Sequence, residues 1–239
     1  MNVTNGKHCK SQINMLKCMK FYKKIMQNNF SNTTSIRKSK LDEGALGRLR
    51  SNLKKGQVYR REDFLKDSNA IDRHLKQLVN TGYLEKIAQG IYYSPKSSTF
   101  GKLPPKDEDL VRAFLKDDNF LLFSPNIYNS LGLGTTQLYN KTVVYNHKRH
   151  GVFQLGNRNF EFHMKPRFPK KLDKEYLFVD LLNNLDSLAE DKVEVLANAE
   201  QKLRKFEVSK LEKMVKFYGA GRTKKRVFSW LQEFQRASS

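Results

Sequence analysis

The order of hydrophobic periodicities across residues 41–95 limits what this chain can fold into more than any other feature. Leu41, Ala45, Leu49 and Leu53 recur every four residues, with Leu46 beside them. That is the apolar stripe of a helix over 41–54, ended by Gly56. Tyr59 to Leu65 reads as a short second helix carrying Phe64 and Leu65, and Asp67, Ser68 and Asn69 supply turn and N-cap chemistry. A third helix starts near Ala70, with Ile71, Leu75, Leu78 and Val79 on its buried side, Asp72, Arg73, Lys76 and Gln77 facing elsewhere, and Gly82 at its end. Tyr83 to Tyr93 then gives two β-rich runs around a Gln89-Gly90 turn, a hairpin stopped by Pro95. Helix, short helix, turn, longer helix and hairpin is the order of a winged helix-turn-helix, whose third helix presents a free face narrow enough for the major groove. Tri-helical modules with hairpins also serve as protein-docking units, so the pattern alone leaves both readings open.

Charge weighs between them. Forty-five Lys and Arg face 24 Asp and Glu, a net charge of +21. Such a chain is drawn to polyanions, either nucleic acid or an anionic membrane surface, although solubility is the simpler account of any charge excess. Residues 1–40 hold nine Lys and Arg and no acid. They read as a basic, disordered leader in which Ile13, Leu16, Met19 and Met26 lie at near-helical spacing among Lys17, Lys20, Lys23 and Lys24. A short amphipathic helix formed on an acidic surface and a solvated arm both fit that pattern. No run of about 18 apolar residues is present, so no membrane-spanning helix is expected, and the start lacks the apolar core of a secretory signal. Cys9 and Cys18 are the only cysteines, which excludes a disulfide framework and fits a reducing cytoplasm, where a DNA-binding chain would be expected on the nucleoid.

The composition is 38% hydrophobic, enough for a sizeable core beyond residue 95. Ser97, Ser98, Gly101, Pro104 and Pro105 mark 96–106 as a linker, followed by a domain over 107–239. That domain opens with a helix from Asp107 to about Lys116. A buried Phe120–Phe123 segment and a capped short helix from Ser124 to Gly132 follow. Strands are expected at Thr142–Tyr145, within Arg149–Gly156 and at Asn159–His163, and helices at about 175–188, 190–205, 207–218 and 223–235. The expected fold class is α+β: an N-terminal winged helix-turn-helix, then a mixed α/β domain ending in a helical C-terminus.

Catalytic and metal chemistry finds little support. His147 and His150 lack further ligands at a recognisable spacing and read as hairpin or phosphate-contact residues. Glu161-Phe162-His163-Met164-Lys165 superficially suggests a metal nuclease, but the Glu–Lys spacing is wrong and alternating Phe160 and Phe162 indicate a strand. Gly132-x-Gly134 is too short for a phosphate loop, and no nucleophile elbow occurs. Asp107, Glu108 and Asp109 suit a helix N-terminus, whereas Arg222, Lys224, Lys225 and Arg226 near a helix start do not, which leaves an external anion or a solvated face for them.

Three blocks carry a family resemblance. The first is Gly56-x-Val58-Tyr59-x-x-x-Asp63-Phe64 with Gly90-Ile91-Tyr92-Tyr93-x-Pro95. The second is Ser124-Pro125-Asn126-Ile127-Tyr128-Asn129-Ser130-Leu131-Gly132-Leu133-x-x-x-Gln137. The third is Val144-Tyr145-Asn146 before the helical C-terminus. Over roughly residues 41–220 the chain resembles the AbiEi-type antitoxin-like transcriptional regulators of the type IV toxin–antitoxin class; residues 1–40 depart from that pattern. The resemblance implies a bacterial repressor that binds inverted-repeat operator DNA of its own operon through an N-terminal winged helix. It also implies a C-terminal domain that counters a nucleotidyltransferase-like toxin without a stable complex. A stand-alone regulator fits the sequence equally well.

The resulting expectation is a non-enzymatic repressor of duplex DNA with no metal and no small-molecule cofactor. Ser68, Asn69, Asp72, Arg73 and Lys76 would face the major groove, Arg73 being suited to a bidentate guanine contact and Asn69 to adenine or phosphate. Arg60, Arg61, Lys86 and Gln89 would hold backbone phosphates. A protein-interaction module that neutralises a partner enzyme without reading DNA, or a nuclease, are the competing functions.

Overall fold

The computed structural model describes residues 44–237 of the 239-residue chain. The leader over 1–40 and Leu41 lie outside the described residues. The fold is mixed α+β, built on three apolar clusters with two sheets between them.

The first cluster is local. Helix α1 (Ala45–Asn52) contributes Leu49, a 3-10 turn over Arg61–Phe64 contributes Phe64, and helix α2 (Ile71–Asn80) contributes Ile71, Leu75 and Leu78. The i, i+4, i+7 spacing of the three α2 residues makes one buried stripe. Leu84 closes the cluster after Gly82, whose positive φ of 77° allows the Tyr83 and Leu84 amides to turn back onto the Leu78 carbonyl.

Tyr59–Leu65, expected as one short helix, divides in two. Val58–Arg60 is strand β1, and only Arg61–Phe64 is helical, as a 3-10 turn. The pattern hides the strand because its side chains serve two cores: Tyr59 packs with the helices and Val58 with the opposite side. Strand β1 pairs antiparallel with β3 (Ile91–Tyr93), which pairs with β2 (Glu85–Ala88), giving the order β1-β3-β2.

Residues 96–106, expected as a linker, contain a second hairpin. Strands β4 (Lys96–Ser98) and β5 (Gly101–Leu103) are exposed on both faces, so no apolar alternation betrays them. The Tyr93 hydroxyl donates to the Leu103 carbonyl at 2.8 Å, and Lys102 pairs with Glu85 at 2.8 Å, tying this hairpin to the first sheet.

The second half is layered around a four-stranded sheet in the order β6-β7-β9-β8. Strands β6 (Leu121–Phe123) and β7 (Thr142–Asn146) are antiparallel, β7 and β9 (Arg158–Met164) are parallel, and β8 (Gly151–Leu155) pairs antiparallel with β9. Val143, Val144 and Tyr145 form an unbroken buried run because both sheet faces are covered there. Helix α3 (Asp107–Leu115) lies on one face with Val144, Phe160 and Phe162. On the other face, α4 (Lys174–Asn184), α5 (Lys192–Gln201), α6 (Val208–Tyr218) and α7 (Gly221–Ala237) pack against Phe123, Val143 and Tyr145. The helices expected at 175–188 and 190–205 each end in a 3-10 turn, over Leu185–Ser187 and Lys202–Lys205.

The distinctive block around Ser124–Gln137 is structural. The Ser124 hydroxyl accepts from the Asn126 amide, Asn126 exchanges two hydrogen bonds with the Tyr139 backbone, and Gly132, at φ 63°, ends the 3-10 turn over Pro125–Leu131. Tyr128 reaches Asp180 of α4, which is only 2% exposed. The Tyr128 and Tyr145 hydroxyls donate to that carboxylate at 2.6 and 2.9 Å, and the Lys165 ammonium sits 3.8 Å away. Burial pushes the Asp180 carboxyl above the usual carboxylate range, with Lys165 and the tyrosine hydroxyls opposing that rise.

Removing one of these donors leaves the buried carboxylate short of a hydrogen bond. Tyr128→Phe is therefore expected to cost about 1–3 kcal/mol in urea unfolding. The raised carboxyl binds its proton more tightly in the folded chain than in the unfolded one. Above the unfolded carboxyl range, near pH 4, stability should fall with rising pH through the folded titration. In thermal unfolding from pH 4 upward, Asp180→Asn should remove that decline relative to the native chain.

Candidate nucleic-acid interface

The expected contact residues converge on one corner of the first unit, where α2 begins, the 3-10 turn begins and the β2–β3 hairpin turns. Arg61 joins all three. Its amide donates to the Gly90 carbonyl at 2.9 Å, pinning the hairpin turn. Its guanidinium makes two parallel hydrogen bonds to Asp72, Nε to Oδ1 at 2.6 Å and Nη2 to Oδ2 at 2.7 Å. This bidentate pair stands in solvent, and the Arg61 hydrogen bond holds the Asp72 carboxyl below the usual range. Tyr92 lies alongside: burial, then the Asp72 charge, raises its phenol. Lys86 is the cross-strand partner of Tyr92 and is exposed. The exposed Gln89 forms the turn with Gly90.

The expected residues separate into three groups. Asn69, Arg73 and Lys76 are exposed, and neither Arg73 nor Lys76 has an ion-pair partner among the described residues. Helical spacing aligns Arg73 with Lys76 and the exposed Asn80, extending the surface one turn further, with Gln77 beside it. Asn80 went unassigned in the sequence reading, although its spacing of seven from Arg73 carries that signal.

Arg60, Arg61 and Asp72 are exposed or half-exposed but already paired. Arg60 lies 3.7 Å from Glu62 and 3.8 Å from Asp63, whose carboxylate also accepts the Arg60 amide at 2.8 Å. Glu62 in turn pairs with Lys116 beyond the end of α3, and that hydrogen bond holds its carboxyl below the usual range.

Ser68 is a correction. It is 9% exposed, accepts the Ala70 amide at 3.0 Å and lies 2.8 Å from His74 Nδ1. Its hydroxyl closes the turn into α2 and does not face outward. Small polar residues before a helix serve both as caps and as contacts, and only the local chain path distinguishes the two.

Other flagged residues are engaged elsewhere. His147 stacks on Phe168 with ring centroids 4.7 Å apart, and His150 stands 5.6 Å from the His163 ring. Glu161 lies 2.9 Å from both Lys141 and His163. Burial opposes its ionisation, yet the Lys141 hydrogen bond and the neighbouring positive charge hold its carboxyl below the usual range. Arg222 finds its anion within the chain, on Asp186. Among the described residues, no group of three or more His, Cys, Asp or Glu side chains is arranged to hold a metal, and no helix is long and apolar enough to cross a membrane.

A family model described as "Family of unknown function (DUF6088)" matches residues 46–214, from α1 through most of α6. The chain belongs to that family. The match includes the α2 surface and the Asp180 cluster, so both halves lie within one family unit. Among solved structures, the Rv2827c protein from Mycobacterium tuberculosis is similar at 15% identity, covering 81% of this chain and 76% of that one with a TM-score of 0.47. No curated protein sequence matches the chain.

Ser68→Ala should cost about 1 kcal/mol of stability by removing the acceptor for the Ala70 amide and the partner of His74. Denaturant unfolding checks this, and an unchanged midpoint would contradict the role of Ser68 in closing the turn before α2.

Proposed function

We propose that this chain is a DNA-binding transcriptional regulator whose residues 44–95 act as a winged helix-turn-helix. One observation carries the reading: α2 presents Arg73, Lys76 and Asn80 along a single exposed line, with the exposed Asn69 in the turn before it, and the two cations lack ion-pair partners among the described residues. The element order supports it, with helix α1, strand β1, a 3-10 turn, helix α2 and a hairpin that pairs back onto β1. The net charge of +21 supplies sequence-independent attraction to the phosphate backbone.

In the proposed complex, α2 enters the major groove. Arg73 reads a guanine edge, Asn69 contacts an adenine or a phosphate, and Lys76 lies further along the groove. Lys86 and Gln89 bind phosphates on the hairpin side, and Arg60 strengthens that contact. Asp72 tempers the surface: its carboxylate occupies Arg61 until a phosphate replaces it. The resemblance to AbiEi-type regulators extends the proposal to an autoregulating antitoxin that binds an inverted-repeat operator and opposes a nucleotidyltransferase-like toxin. The chain acts in the cytoplasm on the nucleoid, without catalysis of its own.

The direct test compares binding to DNA from upstream of its own gene with binding to random duplex at about 150 mM salt. Preference for the upstream DNA is expected; equal binding would favour a protein-docking role. Arg73→Ala should cost about 1–3 kcal/mol and relax discrimination at one base pair. Lys86→Ala should weaken all sequences alike and lower the salt slope by about one. Asp72→Ala removes a negative charge and frees Arg61, so binding to any duplex should tighten and the salt slope should steepen; unchanged affinity would contradict the restraint assigned to Asp72.

A further inference from the structure

Helices α5 and α7 leave an open groove of about 660 Å³ between them, far along the chain from the α2 surface. Its floor is apolar, with Ala197, Leu203, Trp230 and Phe234. Its rim is acidic: Glu200 and Glu233 line it, and neither has an ion-pair partner among the described residues. Arg204, the nearby cation, lies over the Phe234 ring with its guanidinium carbon 5.3 Å from the centroid. Val193, 80% exposed, stands one turn before Ala197 on α5 and prolongs the apolar floor. Two acids without ion-pair partners beside an apolar trough are conspicuous on a chain carrying a net charge of +21.

The sequence contains a complement. Between Ile13 and Met26, the apolar residues Ile13, Leu16, Met19 and Met26 alternate with Lys17, Lys20, Lys23 and Lys24, and no acid interrupts them. From Met26 to Gly44 the intervening chain can span about 60 Å, more than the roughly 40 Å breadth of a compact unit of this size. We propose that the segment Ile13–Met26 docks in the α5–α7 groove of its own chain, its apolar residues on Trp230 and Leu203 and its lysines toward Glu200 and Glu233. Docking there places an acid-free stretch of four lysines on an acidic rim and withholds it from other polyanions.

The chain carries its own ruler for this arrangement, because Trp230 is its only tryptophan and Cys9 and Cys18 its only cysteines. The full-length Cys9→Ser protein, labelled on Cys18 with a dansyl group, should lose at least half of its Trp230 emission by energy transfer. Paired Glu200→Lys and Glu233→Lys changes on the exposed rim should restore that emission, as should Leu16→Asp, which leaves the described fold untouched. Unaltered Trp230 emission on labelling would overturn the proposal, as would transfer that survives both the rim changes and Leu16→Asp. Transfer appearing when labelled Trp230→Phe chains are mixed with unlabelled native chains would also overturn it, by showing that a second copy receives the segment.

Discussion

The arrangement depends on a small sheet that packs against an apolar cluster on each side. One face of β1-β3-β2 carries Tyr59 and Tyr92 into the cluster formed by α1, the 3-10 turn and α2. The other carries Val58, Ile87 and Ala88 onto Leu110, Phe114, Leu155 and their neighbours in the second half. The Gly156 amide donates to the Ile87 carbonyl at 3.0 Å, joining the edge of the second sheet to β2. Each fully buried aliphatic or aromatic side chain contributes about 1.5–3 kcal/mol, so this contact fixes the two halves to each other. The attachment uses the sheet face opposite α2, which leaves the outward line of α2 uncovered by the described residues.

That geometry gives the Arg61–Asp72 pair its meaning. A bidentate ion pair in solvent adds little to stability, being screened and entropically costly. Its consequence lies in position: it joins the hairpin turn to the first turn of α2 and occupies a cation that, in the proposed complex, would meet a phosphate. Arg73, the next residue, and Lys76, one turn further on, carry no such partner among the described residues. The surface therefore combines two available cations with one held in reserve. The Asp180 cluster does different work in the second half, where two tyrosine hydroxyls and a lysine hold a buried carboxylate and draw the Pro125–Leu131 turn, β7 and α4 onto one point.

Much of this was legible in the residues, and the exceptions share a cause. Helices α2, α3 and α5 to α7 follow from apolar spacing, because each buries a single face, whereas α4 is buried all round from Glu175 to Leu182 and shows as a near-continuous apolar run. Strand β1 escaped because Val58 and Tyr59 serve opposite cores, so its three residues imitate the start of a helix. The β4–β5 hairpin escaped because it buries neither face and leaves no periodic trace. Among the candidate contacts, Asn69, Arg73, Lys76, Lys86 and Gln89 were legible as residues turned away from the apolar stripe. Ser68 was misplaced because a cap and a contact use the same chemistry. The pairing of Arg61 with Asp72 spans eleven residues and depends on the tertiary path, which no local pattern encodes.

The account stands on α2 being the surface that meets duplex DNA. Amide hydrogen exchange of the full chain, with and without upstream duplex at physiological salt, tests this most directly. Slowed exchange or altered protection concentrated between Asn69 and Gly90, with the α4–α7 helices unchanged, is the predicted result. Protection confined to the second half, with the Asn69–Gly90 stretch indifferent to DNA, would contradict it.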